Sequence, residues 1–317
     1  MDARTVNLPC GSWAARPPAF ADATEAEWGD WRWQHRNRLR TEHDLACVLE
    51  LSAAEREALR ASRDLFEVAV TPYYASLMDP KDASCPVRQQ GVPQPGELVV
   101  YSFERDDPLA EEAYMPVPGI THRYPDRVLF YVTHHCPVFC RHCTRKRKVA
   151  DPTTMASRAQ LSAGLDYIRR TPTARDVLLS GGDPLTLSDE RLGELLRALR
   201  AMDHVEVVRL GTRNPVTLPQ RITPELCAHL RGARPIYVHT HFNHPRELTA
   251  QAKRALSMLL DAGCVLGNQM VLLRGINDDP EVVMALNREL LRVGCRPYYM
   301  LQCDMALGIT HFRTPLR

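Results

Sequence analysis

The chain has 317 residues, 44% of them apolar, and a formal net charge of +2, which allows one large α/β barrel or two domains around a sizeable core. So balanced a charge argues against a nucleic-acid partner. No run of 18 apolar residues appears that could span a bilayer, and Met1 to Arg40 lacks the apolar stretch of a signal peptide, so a cytoplasmic protein without membrane attachment is expected. Ten cysteines scattered over this length suit a reducing compartment better than a secreted disulfide scaffold.

Residues 1 to about 20 are rich in proline and alanine, without periodicity, and read as a loose arm. From Glu25 the run carrying Trp28, Trp31 and Trp33 reads as a helix start. Ser52 to Ala75 reads as one or two helices opened by a Ser52–Glu55 capping box, and Asp79 through Gln89 as a turn-rich connector. This front part, 1–115, is expected to cap a barrel formed by 116–317 rather than to stand alone. From Val128 short β-branched runs recur: Val128–Thr133, Val177–Ser180, Val207–Gly211, Ile236–Thr240, Val265–Leu273 and Arg296–Leu301. Helical segments lie between them, at Arg158–Thr171, Ser188–Met202, Pro224–Arg231, Arg246–Ala262 and Glu281–Val293. Alternating elements of this kind make parallel βα units. Six units predict a partial, open (β/α)6 barrel, with its site at the C-terminal ends of the strands.

The first strand end runs into Cys136-Pro137-Val138-Phe139-Cys140-Arg141-His142-Cys143 and then Thr144-Arg145-Lys146-Arg147-Lys148. A closed zinc site wants four ligands in two pairs, so three thiolates at this spacing better suit an iron–sulfur cluster. A [4Fe-4S] cube needs four ligands; with three, one iron stays open to a small molecule. Three cysteines, a histidine and five cations in one loop have no packing rationale in the sequence. At the second strand end, Ser180-Gly181-Gly182-Asp183-Pro184 offers glycines that let a ligand approach the backbone and a carboxylate that can take an ammonium, although the same residues also make an ordinary turn. His239, His241 and His244 are spaced so that they cannot hold one metal from one side of a strand, and polar contacts to substrate or cofactor are the expected use. Asp304, after the sixth run, is either a helix cap or a carboxylate aimed at a substrate.

Together these motifs resemble the lysine 2,3-aminomutase family of radical S-adenosylmethionine (SAM) enzymes. The resemblance runs from about Trp28 onward, through Pro116 to Arg127, the cysteine motif, Ser180 to Pro184, Gly211-Thr212-Arg213, His239 to Pro245, Gly267-Asn268-Gln269, Gln302-Cys303-Asp304 and His311 to Pro315. It implies that Cys136, Cys140 and Cys143 hold a [4Fe-4S] cluster whose open iron is chelated by SAM, and that Ser180, Gly181, Gly182, Asp183, Arg213, His241 and Gln269 surround SAM. It further implies that Arg145 pairs with the substrate α-carboxylate and Asp304 with a distal ammonium, which argues for free lysine or arginine and against glutamate. An external one-electron reductant of the flavodoxin or ferredoxin type is implied as partner, and a homodimer is compatible with it.

Family aminomutases also use pyridoxal phosphate (PLP), and Arg123, Tyr124 and Arg127 stand where the family holds its phosphate, either as relics or as carboxylate contacts. The family's PLP lysine falls beyond Arg317, and Lys81, Lys146, Lys148 and Lys253 have other settings. Asp279 replaces a cysteine of the family's structural zinc site, and Leu301 an aromatic near the cofactor. These departures favour PLP-independent hydrogen abstraction from the side chain, with desaturation ahead of epimerisation. The alternative is a PLP-dependent lysine 2,3-aminomutase represented by a truncated chain. A non-catalytic binding protein would leave the intact cysteine motif unexplained.

Overall fold

The computed structural model describes residues 15–63, 66–149 and 156–315. Each expected β-branched run forms a strand: β2 (Arg127–Thr133), β3 (Asp176–Gly181), β4 (Val207–Gly211), β5 (Ile236–Thr240), β6 (Cys264–Leu272) and β7 (Arg296–Gln302). These six are parallel, and β1 (Ile120–Tyr124) pairs antiparallel with β2 in a hairpin that the sequence reading did not contain. The sheet runs β1 to β7 in chain order without joining its two edges, so the barrel is open as expected.

The central strands hide nearly all their apolar side chains; Val177, Leu179, Val208, Leu210 and Ile236 are fully buried. This is the pattern of a parallel sheet covered by helices. β7 differs: Tyr298, Tyr299, Met300 and Leu301 on this edge strand are all exposed.

The covering helices are α7 (Arg158–Arg169), α8 (Asp189–Arg200), α10 (Pro224–Gly232), α11 (Ala250–Asp261) and α12 (Pro280–Arg292), with the short α9 (Asn214–Thr217) after β4. Each of the five starts behind a Ser, Thr or Asp whose side chain accepts a first-turn N–H: Ser157, Ser188, Thr223, Thr249 and Asp279. Such caps satisfy otherwise orphaned donors. In α8, Leu192, Leu195, Leu196 and Leu199 recur at three- and four-residue spacing and bury one face.

In front of the barrel lie α1 (Glu25–Gly29), α2 (Trp31–Arg36), α3 (Glu42–Ala46), α4 (Ala53–Ala61), α5 (Pro72–Ala75) and α6 (Pro86–Gly91). The capping box at Ser52 is present. The connector up to Gln89 contains a helix after all, α6, because Pro86 at its first position needs no N–H partner there. The first 14 residues of the expected loose arm lie outside the described residues. Its end is ordered: Phe20 packs on Trp28 and Trp33 at ring distances of 6.1 and 6.0 Å. Cap residues such as Leu45, Val70 and Val87 belong to the same apolar core as the barrel strands. No helix among the described residues is long and apolar enough to cross a membrane.

Candidate active site

The cysteine loop leaves β2 at Thr133 and is held from two sides. On the barrel side, Gly182 N–H donates to Thr133 O and Asp183 N–H to His135 O, both at 2.7 Å. Gly181 has φ +117°, and a Cβ on Gly182 would sit 2.3 Å from His135 O. The glycines expected to admit a ligand thus admit first the backbone leading to Cys136. On the cap side, Phe139 N–H donates to Ala69 O and Arg141 N–H to Gln90 O, each at 2.9 Å. Phe66, Ala69, Phe139 and Val149 form a small apolar cluster against which Cys136 and Cys143 pack.

Cys136, Cys140 and Cys143 are free and half-buried. Burial, together with the neighbouring cysteines, pushes the thiols of Cys136 and Cys143 up, so a bound metal is what would hold them as thiolates. Among the described residues no three side chains converge on one ion. A cluster makes no such demand, since each thiolate meets its own iron. Two donors already point at the sulfurs: Arg145 N–H to Cys143 Sγ at 3.3 Å and Arg213 Nη1 to Cys140 Sγ at 2.8 Å. Hydrogen bonds to sulfur are characteristic surroundings of iron–sulfur centres, and the donor set fits a [4Fe-4S] cluster.

Contrary to expectation, the loop's cations do have packing partners. Arg141 and Lys146 pair with Glu97 at 2.7 and 3.2 Å, and Arg145 with Glu111 at 2.6 Å. Arg147 meets Asp107 and Glu112, and Lys148 meets Glu112. Burial raises the Glu97 and Glu111 carboxyls, but Arg141 and Lys146 around the one and Arg145, Tyr131 and Lys148 around the other together hold both below the usual carboxylate range. All four acids come from residues 97–112, an irregular stretch to which the sequence reading gave no role.

Around Cys140 the strand ends bring Asp183, Arg213, His241 and Gln269 together. Buried Asp183 accepts from Thr212 Oγ1 and Arg213 N–H at 2.7 Å and from Leu185 N–H at 3.0 Å. A carboxylate has about four lone-pair sites, so a ligand ammonium would meet it as one further donor. Burial and the Arg213 charge lower the His241 imidazole to about 4, and its ring is hydrogen-bonded to the Gln269 backbone. Ser180 lies buried on β3, its side chain facing Gly211 at the end of β4. The three histidines do not converge: Arg209 Nη1 lies 3.3 Å from His239 Nε2, and His244 Nδ1 accepts from Arg246 N–H.

Beyond Cys143, the Arg145 guanidinium forks onto Glu111 and lies 5.3 Å from the centre of the Tyr131 ring. Asp304 is half-buried, its carboxyl raised by burial, and the charges that act on it are Arg313, Arg145 and Glu111. It accepts no hydrogen bond among the described residues and so caps no turn. By contrast, Arg123, Tyr124 and Arg127 sit at the β1–β2 hairpin, at the opposite end of β2 from the cysteines. There Arg123 donates to Leu109 O, Arg127 pairs with Asp176 at 2.9 Å, and Tyr124 is exposed. Asp279 caps α12, and Leu301 is exposed on β7.

A model of the radical SAM superfamily matches residues 130–286. An L-lysine 2,3-aminomutase of Clostridium subterminale is 48% identical over 297 residues, covering 94% of this chain and 71% of that protein. The L-lysine 2,3-aminomutase of Bacillus subtilis is 46% identical, over 94% of this chain and 63% of its own length. A glutamate 2,3-aminomutase of Clostridioides difficile is 43% identical, over 93% and 70%.

Proposed function

The chain belongs to the lysine 2,3-aminomutase family of radical SAM enzymes, and from that premise we propose that it abstracts a hydrogen from the side chain of a free amino acid carrying a distal cation. Cys136, Cys140 and Cys143 are the residues that would hold a [4Fe-4S] cluster, which when bound would supply the electron for reductive cleavage of SAM. The observation that carries the substrate class is the pair of opposite charges beside the cysteine loop: Arg145, forked on Glu111, and Asp304, without a hydrogen-bond partner among the described residues and acted on first by Arg313 and then by that same pair.

Arg145 holds the substrate carboxylate, since a guanidinium fork matches a carboxylate bidentately. Glu111 keeps that fork in place until the substrate arrives. Asp304 takes the distal cation. Pinned at both ends, the substrate lies with its middle carbons across the site, and position selects the hydrogen removed. Asp183, His241 and Gln269 border the SAM side. Glutamate, the substrate named for one relative, would set its side-chain carboxylate against Asp304.

The relatives lend desaturation no support. They are named for aminomutase activity; of the three departures behind desaturation, the missing lysine reflects where the sequence stops, which decides nothing for a chain spanning 71% of such a relative, while Asp279 caps α12 and Leu301 is exposed on β7, and neither points to desaturation. The test is turnover of lysine, arginine and glutamate by the reconstituted protein with SAM and dithionite, with products read by mass. A basic substrate should be consumed. Asp304→Asn should raise its KM about ten- to a hundredfold, as expected when a charge loses its partner, while leaving SAM binding intact. An unchanged KM, or a preference for glutamate, would overturn the assignment.

A further inference from the structure

Arg213 is a buried cation with an unusual set of partners. Its Nε donates to His241 O at 3.1 Å, and its Nη2 to Gln90 Oε1 at 2.5 Å, Glu247 Oε1 at 2.7 Å and Tyr74 OH at 3.2 Å. The remaining arm, Nη1, is turned onto Cys140 Sγ at 2.8 Å. Glu247 is fully buried and supplies one counter-charge, but it also accepts from Asn243 N–H at 2.7 Å, His244 N–H at 3.0 Å and Tyr74 OH at 2.9 Å. Its charge is therefore shared among several donors. A neutral thiol is a weak acceptor, so a charged donor aimed at Cys140 is well used only if that sulfur carries negative charge. Of the hydrogen bonds that reach the three cysteine sulfurs among the described residues, this one alone comes from a charged side chain; Cys143 receives a backbone N–H.

We propose that Arg213 is a positioning residue that tunes the cluster: its N–H bond to Cys140 Sγ makes the cluster easier to reduce, with Glu247 setting how much of the guanidinium charge reaches the sulfur. The inference rests on the reading that the three cysteines hold a [4Fe-4S] cluster. In the step concerned, the cluster accepts one electron from an external one-electron donor, and no other bond forms or breaks. The added electron places negative charge on the sulfurs, so a cationic donor there favours the reduced form, as hydrogen bonds and net charge do around such clusters generally.

The bland reading is that Arg213 only ties Tyr74 and Gln90 of the cap to the barrel. A strut would affect stability without moving a potential. The reconstituted full chain is therefore titrated with dithionite and followed by the electron paramagnetic resonance of the reduced cluster. Arg213→Met should shift the one-electron equilibrium toward the oxidised cluster by about tenfold, which is 59 mV for a one-electron couple. Glu247→Gln, which removes the opposing charge without touching a cysteine, should shift it the other way, and Arg213→Lys should recover part of the loss. Arg213→Met with full iron content, an unchanged circular dichroism spectrum and the wild-type potential would overturn the proposal. If that variant assembles no cluster, the wild-type protein labelled with ¹⁵N in its arginine guanidinium groups decides by pulsed resonance. A nitrogen coupling to the reduced cluster supports the bond and its absence refutes it. A wild-type chain that takes up no cluster at all would instead sink the underlying cysteine assignment.

Discussion

At Asp304, burial raises the carboxyl above its ordinary value of 3.8 and outweighs the pull of Arg313 and Arg145. The folded chain therefore holds this proton more tightly than the unfolded chain does. Stability from this group is present below the ordinary aspartate range and is lost as the pH rises through the folded value. Asp304→Asn, which cannot ionise, should melt higher than wild type at about pH 7 and lose that advantage at about pH 3. A lower melting temperature at neutral pH would mean that the carboxylate is serving the fold. Glu111 gives the complementary case. Glu111→Gln leaves the Arg145 guanidinium without its carboxylate, a loss of about 1–3 kcal/mol, which a basic amino acid should restore by bringing its own carboxylate. A larger substrate-induced rise in melting temperature for this variant than for wild type checks the point by differential scanning fluorimetry, and equal rises would refute it. Arg145 and Asp304 could be singled out through their motifs, and in the fold their charges act on each other. Glu111 could not: it sits in an irregular stretch, and its partner is 34 residues away. The one available signal was that an acidic stretch and a basic run of similar length had to be reconciled somewhere.

Strand positions could be read because buried parallel strands need continuous β-branched and aliphatic runs, and all six runs became strands within one or two residues. β1 escaped because Ile120-Thr121-His122-Arg123-Tyr124 is mostly polar and owes its form to hairpin pairing with β2. Helix α11 begins at Ala250 and not at Arg246, because Pro245 starts a short 3₁₀ turn and Thr249 supplies the cap. The turn after β3 was legible as residues but not as a role, since what its glycines approach is decided by the packing of two segments 48 and 49 residues apart in the chain. That packing is open to test. Gly182→Ala places a methyl 2.3 Å from His135 O, where the neighbour is backbone and cannot swing aside. It should destabilise the chain by about 1–3 kcal/mol and lower the iron bound per chain, because the segment that must yield leads directly into Cys136. Denaturant titration of the metal-free protein and an iron assay of the reconstituted one read the two effects separately. Normal stability together with full iron would show that the two segments do not need this close approach.

Across the molecule, cap and barrel are joined by groups that neither could satisfy alone. Arg38 Nη1 donates to Cys136 O at 2.8 Å, Thr71 Oγ1 to Thr217 O at 2.6 Å, and Tyr74 OH to buried Glu247 at 2.9 Å. The apolar core passes from Leu45 and Val70 into Val128 and Leu179 without a break. Inside the cap, Arg88 and Glu55 form a fully buried pair at 2.7 Å. Breaking such a pair by removing one partner is expected to destabilise by about 3–5 kcal/mol. If the shared core makes cap and barrel one cooperative unit, Arg88→Met should lower the whole unfolding transition, although among the described residues the Arg88 side chain hydrogen-bonds only within the cap. The tryptophans make this measurable, because Trp28, Trp31 and Trp33 lie in α1 and α2 of the cap and no described barrel residue is a tryptophan, so their fluorescence follows the cap while far-ultraviolet circular dichroism follows every helix and strand. In wild type and in Arg88→Met the two probes should give coincident denaturant transitions, the mark of two-state behaviour, shifted together to lower denaturant in the variant. A fluorescence transition that moves ahead of the dichroism transition would instead make the cap a separately unfolding unit. The cysteine loop would then keep its barrel contacts at Gly182 and Asp183 while losing those to Ala69 and Gln90.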